Sequence, residues 1–168
     1  MSALSNTKSL SNDAAFKDSM AMMAAAVKVV ATHGVAGKAG LTVTAACSVS
    51  QDPPRLLVCV NQSASAHDVL LENKKLSLNV LSDQHCDVAL AFGGKESGEK
   101  RFSFGEWSDD IFGLPCLDNI CAYFSCSIQD YYKSGTHTII VCNVDFCTNN
   151  DSMRPLVYFN RNMQALVS

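Results

Sequence analysis

The stretch from Gly40 to Ala66, GLTVTAACSVSQDPPRLLVCVNQSASA, carries the residues best suited to chemistry. It holds two tracts of small residues, Thr42-Val43-Thr44-Ala45-Ala46-Cys47-Ser48 and Asn61-Gln62-Ser63-Ala64-Ser65-Ala66. Small side chains let a backbone come close to a ligand. Hydroxyls and free N–H groups then bind phosphate or ring oxygens. Between the tracts lie Pro53-Pro54 and the apolar run Leu56 to Val60. Such tracts beside buried strands describe a ligand shelf rather than ordinary core.

Other chemistries find little support. The chain has no G-x-x-x-x-G-K-S/T loop, no G-x-G-x-x-G and no G-x-S-x-G elbow. Gly93-Gly94-Lys95 reads as a helix end followed by an exposed lysine. His137 lies between Thr136 and Thr138 just inside a strand. A lone histidine there is more often structural, although it could contact a cofactor without acid–base chemistry. Eight cysteines include no C-x-x-C pair. Cys116, Cys121 and Cys126 recur at an odd spacing, which on a strand alternates faces, so no metal site is expected.

These residues need elements to hold them. Residues 1–11, polar and serine-rich, read as a flexible arm, and residues 12–168 as one domain. Asn12 or Asp13 caps a helix running to about Ala26, with Phe16, Met20, Met23 and Val27 on its buried face. Val27–Thr32 reads as a strand, His33–Lys38 as a turn, and Leu41–Ser50 as the returning strand of a hairpin. Pro53-Pro54 ends that segment. Leu56–Asn61 and Leu76–Leu81 read as strands, with a short helix over His67–Glu72 between them. Asp83–Phe92 reads as a helix stopped by Gly93-Gly94. Lys95–Asp118 is irregular and reads as a long surface excursion. Cys121–Asp130, Thr136–Asn143 and Leu156–Phe159 complete the strands. Many short strands with a few helices favour an antiparallel barrel or sandwich over a doubly wound parallel sheet.

Composition narrows the setting. The chain has 168 residues, 48% of them hydrophobic and 17% charged, which is ample for a core and unlike a disordered chain. Its net charge is −3 and it has no basic block, so nucleic acid is not an expected partner. No secretory signal or membrane-spanning run is evident. The cysteines are therefore expected as free thiols in a reducing cytoplasm.

The order and spacing of several short pieces resemble the short-chain flavin reductases that serve two-component monooxygenases. The pieces are Phe16-Lys17-Asp18-Ser19-Met20, Gly40-Leu41-Thr42-Val43-Thr44-Ala45, Cys47-Ser48-Val49, Pro53-Pro54, Leu57-Val58-Cys59-Val60-Asn61 and Asn79-Val80-Leu81. Phe92, Arg101-Phe102, Trp107, Gly135-Thr136-His137 and Tyr158-Phe159 follow. The chain is especially similar to the reductase component of 4-hydroxyphenylacetate 3-monooxygenase, and also to the related reductase of pyrimidine degradation. The resemblance implies an FMN-binding split barrel, a Greek-key antiparallel fold, as a homodimer. It implies hydride transfer from NADH or NADPH to FMN or FAD, with reduced flavin diffusing to a separate oxygenase of the aromatic hydroxylase type. No protein residue need be catalytic. Thr42, Val43, Thr44, Ala45, Ser48 and Val49 would meet the flavin ring, and Asn61, Ser63, Ala64 and Ser65 its ribityl chain and phosphate. Phe92, Gly93 and Lys95 would border it, and His137 would lie on the nicotinamide side. Val43 departs from the alanine common between the two threonines. The other readings are a flavin or haem carrier or sensor on the same barrel, and a reductase with tightly held flavin acting on another acceptor.

Overall fold

The computed structural model describes residues 13–166, so the expected arm at residues 1–11 lies outside the described residues. Helix α1 (Asp13–Ala21) leads to β1 (Ala25–Ala26), β2 (Lys28–Gly34), β3 (Gly37–Val43), β4 (Ala46–Gln51) and β5 (Pro54–Asn61). Then come α2 (His67–Asn73), β6 (Lys75–Val80) and α3 (Cys86–Leu90). The chain ends with β7 (Trp107–Asp109), β8 (Pro115–Leu117), β9 (Ala122–Ser134), β10 (His137–Asn149), β11 (Leu156–Phe159) and β12 (Asn162–Ala165).

One seven-stranded sheet has the order β3-β2-β6-β9-β10-β5-β4, with every pair antiparallel. Strands β3 and β4 stand at its opposite edges, yet only Thr44 and Ala45 separate them in sequence. The sheet must therefore roll until its edges meet, which makes a barrel. At this junction, the seam, Cys59 N donates to the Ala45 carbonyl at 2.9 Å, which extends the β4–β5 ladder by one residue, and Ala46 N closes a tight turn onto the Thr44 carbonyl at 3.0 Å.

Alternation builds the interior. On β5, Leu56, Val58 and Val60 are buried while Leu57 and Cys59 are half-buried. They meet Val30, Leu41, Leu76, Leu78 and Ile140 in the lumen, and Ala66 and Leu70 from the α2 end join this core. Strand β2 is buried on consecutive residues from Val29 to Thr32 because it faces the lumen on one side and an outer layer on the other. That outer layer packs Val27, Val29, Leu81, Val88, Phe92, Leu117, Tyr123 and Leu156.

Three expectations are corrected. The first helix stops at Ala21 instead of Ala26, and Met22 and Met23 close it with short-range turns onto Ser19 and Met20. The single strand over Leu41–Ser50 is two strands, because its halves pair with different neighbours, β2 and β5. The Lys95–Asp118 excursion holds a 3₁₀ turn (Gly98–Ser103) and the β7–β8 hairpin. Asp110 organises its tip, accepting from Phe112 N and Leu114 N at 2.8 Å each and from Tyr123 Oη at 2.7 Å. Burial alone would raise the Asp110 carboxyl, but these hydrogen bonds outweigh it and hold its pKa below the ordinary carboxylate value.

Gly40 on β3 faces Phe92 directly. A Cβ there would lie 2.7 Å from Phe92 Cε1 and 3.0 Å from the Val30 carbonyl oxygen. Phe92 has no slack, since Phe102 and Trp107 hold it with ring centroids 5.0 and 5.3 Å away. Gly40→Ala is expected to cost about 1–3 kcal/mol, the usual penalty for overpacking. A urea titration should show a lowered midpoint with an unchanged slope.

Candidate functional site

Edge strands leave backbone groups without ladder partners, and the small-residue tract lies where two such edges meet. Thr42 and Val43 end β3, Thr44 and Ala45 cross the seam, and Ser48 and Val49 lie on β4. Hollows border the seam. One, of about 470 Å³, is lined by Thr42, Val43, Thr44, Ala89, Gly93, Lys95, Tyr158 and Met163 among others. A second, of about 580 Å³, lies between α1 and the seam and is lined by Phe16, Lys17, Met20, Thr44, Ala45, Tyr158 and Arg161 among others. Both fall within the volume range of small-molecule sites.

The wall at Gly93–Lys95 follows from local sequence. Helix α3 ends in a widened turn over Ala91–Lys95, and Gly94 takes a φ of 116°, a region that favours glycine. The turn is tied to β3 on two sides. Thr42 Oγ1 donates to the Ala89 carbonyl at 2.8 Å, and Arg101 donates to the carbonyls of Gly40 and Glu96 at 2.7 and 2.9 Å. Thr42 thus keeps only acceptor capacity for a ligand. Phe92 is 2% exposed and supports β3 from behind, so it turns no face to the hollows.

Ser48 and Val49 go elsewhere. They line the mouth of the barrel, a cavity of about 740 Å³ with Lys28, Leu56, Phe124 and Val144. Lys28 Nζ donates to the carbonyls of Ala26 and Thr44 at 2.9 and 3.1 Å, so it pins the seam from the lumen side. Burial pushes this ammonium below its ordinary pKa, and the nearby Cys47 acts in the opposite direction.

The second tract forms a compact turn. Asn61 Oδ1 accepts from Ser63 N and Ser63 Oγ, both at 2.9 Å, which leaves Ser63 and Ser65 exposed and Ala64 half-buried. Gln62 N donates to the Thr136 carbonyl at 2.9 Å, and Gln62 Nε2 reaches the carbonyls of Gly135 and His137. Asn61 pairs in register with His137, so these two predicted site residues are neighbours. His137 is exposed, with Nδ1 2.9 Å from Thr136 Oγ1. Strand β5 leaves the seam at Cys59 and reaches Asn61 about 7 Å further on at the usual strand rise. The turn and the hollows are therefore within reach of one elongated ligand.

One arrangement could be mistaken for a catalytic triad. His67 Nδ1 lies 2.7 Å from Asp68 Oδ1 and Nε2 lies 2.8 Å from Thr138 Oγ1. In a neutral ring Nδ1–H donates to Asp68 and Nε2 accepts from the Thr138 hydroxyl. But Thr138 is 0% exposed and His67 is 4% exposed, so no substrate reaches the hydroxyl. The cluster clamps the second tract and α2 to β10. Among the described residues no group of histidine, cysteine or carboxylate side chains is arranged to hold a metal ion.

Several lining residues were not named from the sequence. Phe16 and Met20 read as core packing because helical spacing is also the signature of a buried face. They are 65% and 46% exposed and form a wall instead. In the sequence Tyr158 enters only through the family resemblance, and Met163 and Arg161 lie on the turn and short strand that follow it, which no sequence signal marks.

Comparison with known proteins fits this geometry. Residues 20–167 match the family described as flavin reductase like domain. A protein of Stutzerimonas stutzeri (strain A1501) named FMN reductase (NADH) RutF is 43% identical over 91% of this chain and 88% of its own length. The protein of that name from Pantoea ananatis (strain LMG 20103) is 40% identical over 90% and 80%. A Haemophilus somnus structure described as a flavin reductase superposes with a TM-score of 0.88 at 35% identity, covering 92% of this chain and 99% of the other. BorF, the flavin reductase component of a bacterial two-component tryptophan halogenase, gives a TM-score of 0.86 at 27% identity, covering 94% and 99%.

The Asn61 turn yields a test that needs no ligand. Asn61→Ala removes the acceptor of Ser63 N–H and is expected to free about 1 kcal/mol of local order, which speeds exchange of that amide roughly fivefold. Asn61→Asp keeps the acceptor and should retain slow exchange, measured by hydrogen–deuterium exchange.

Proposed function

The chain belongs to the flavin reductase like domain family, and on that premise we propose that it is an NADH-dependent FMN reductase whose reduced product serves a separate oxygenase component. It is a flavin reductase, an oxidoreductase using a flavin and a nicotinamide. The choice of NADH and FMN follows the names of its curated relatives. The likeness to BorF supports delivery to a second component, and an aromatic hydroxylase is the partner class that the sequence resemblance favours.

One observation carries the reading. Two hollows share the backbone of the seam, while the second tract waits one short strand segment away. That is the shape of a ring with a phosphate tail. Bound flavin supplies the electron chemistry by accepting a hydride at N5 from nicotinamide C4, so the protein has only to bind and orient. In this reading the groups of Thr42–Ala45 hold the ring, while Ser48 and Val49 line the separate cavity at the barrel mouth. The exposed Ser65 hydroxyl, and that of Ser63 once it turns from Asn61 Oδ1 to the ligand, donate to the phosphate, with Asn61 and Ala64 shaping the turn. Gly93 leaves the ring's edge open and Lys95 offers a cation. His137, next to Asn61, seats the nicotinamide without moving a proton.

A homodimer fits the outer face of β5 and β10. Leu57, Cys59, Ile139 and Val141 stand there together, half-buried and in register. That is an apolar face suited to a second copy. The free thiols suit a cytoplasmic setting.

Purified protein should oxidise NADH when FMN is added and reduce FMN under anaerobic conditions. Binding of FMN with no sustained turnover would identify a carrier instead. Ser63→Asp sets a carboxylate against the phosphate and is expected to raise the Kd for FMN about tenfold or more. Unchanged affinity would remove the second tract from the site.

A further inference from the structure

Thr44 and Tyr158 are the residues shared by the two hollows beside the seam. Thr44 lies in their common floor. Tyr158 stands on β11, between Ala25 of β1 and Met163 of β12 in register. Its ring packs partly against the outer core, which fixes its position, and it is half-buried. No hydrogen bond to its hydroxyl is made among the described residues. Among the described residues it is also the only phenol or indole bordering either hollow. Trp107, the single tryptophan, sits against Phe92 and lines neither. Phe16, the other aromatic there, has no hydroxyl and is a poor electron donor.

Resting on the flavin reading, we infer that Tyr158 is a ring-contact residue, with the flavin ring spanning both hollows across Thr44 and the phenol packed against it. Two flat π systems in contact gain from offset or edge-on packing, and the free hydroxyl has the ring's carbonyl and nitrogen edge as acceptor. Ala25 opposite Tyr158 leaves the approach clear. Phe16 and Met20 on α1 close the far side, and the ion pair between Arg161 and Asp18 holds α1 to the strand hairpin that carries Tyr158. Tyr158 thus acts on binding and orientation, and the hydride passes between nicotinamide and flavin without it.

A phenol touching a flavin quenches its fluorescence, because the excited ring takes an electron from the phenol and returns it. Phenylalanine does not do this. The test titrates FMN into the purified full-length chain and into Tyr158→Phe and Tyr158→Ala, with bound FMN measured separately by equilibrium dialysis. The unmodified chain should hold FMN in a strongly quenched state. Tyr158→Phe should bind within about threefold of that affinity yet recover emission several-fold. Tyr158→Ala should raise the KM for FMN about tenfold while the KM for NADH changes less. If bound FMN is equally quenched in all three proteins, Tyr158 does not touch the ring, and this inference falls alone. If the unmodified chain retains no FMN on dialysis, the flavin reading falls and takes the inference with it.

Discussion

A single topological constraint governs this molecule: consecutive strands β3 and β4 occupy opposite edges of one sheet. Thr44 and Ala45 are too short a link to cross a flat sheet of that width, so the sheet curls and the edges approach. The closure is incomplete: the backbone bonds at the junction stay within the Thr44–Ala46 link and the β4–β5 ladder, and β3 and β4 do not pair with each other. A closed ladder would have used every backbone donor and acceptor. The unfinished one leaves polar backbone facing outward in a region of small side chains, which is what a planar ligand with ring oxygens needs.

The seam is braced from both sides. Inside, Lys28 holds the Thr44 carbonyl. Outside, Thr42 and Arg101 tie β3 to the α3 turn and the excursion behind it. The rings of Phe92, Phe102 and Trp107 form the solid backing, and Lys38 Nζ lies 4.4 Å from the Phe102 ring centroid. Residues 93–118 therefore act as a buttress for the shelf strand. This explains why a segment with little regular structure is nevertheless well packed.

Much of this was legible in the sequence, in a graded way. Continuous apolar runs, such as Leu56–Val60, and the stop at Gly93-Gly94 are local signals and emerged close to their expected places. The break at Thr44 was not legible. Thr-Val-Thr-Ala-Ala-Cys-Ser reads as continuous strand, and what divides it is the identity of its partners, β2 for one half and β5 for the other. The same cause scattered the site. Residues adjacent in sequence face different hollows, with Thr44 at the seam and Ser48 in the barrel mouth. Strand β12 and the β7–β8 hairpin are too short to show a period. Tyr158 carried no chemical motif, and only the pairing of β11 with β1 brings it to Thr44.

In the second wall of the trough, only helix α1 and the tip of the β11–β12 hairpin are exposed. Helix α1 meets the β11–β12 hairpin through an exposed ion pair and the Asn160 N–Ala21 carbonyl bond, while the hairpin itself is anchored by Leu156, buried in the outer core. The exposed side chains of α1 and of Arg161 contribute little to the register of the seven main strands. A lineage of such proteins is thus free to exchange residues at Phe16, Lys17, Met20 and Arg161, trading one flavin or one affinity for another, while the scaffold beneath stays untouched. Grip on the ligand and survival of the fold are placed under separate selection.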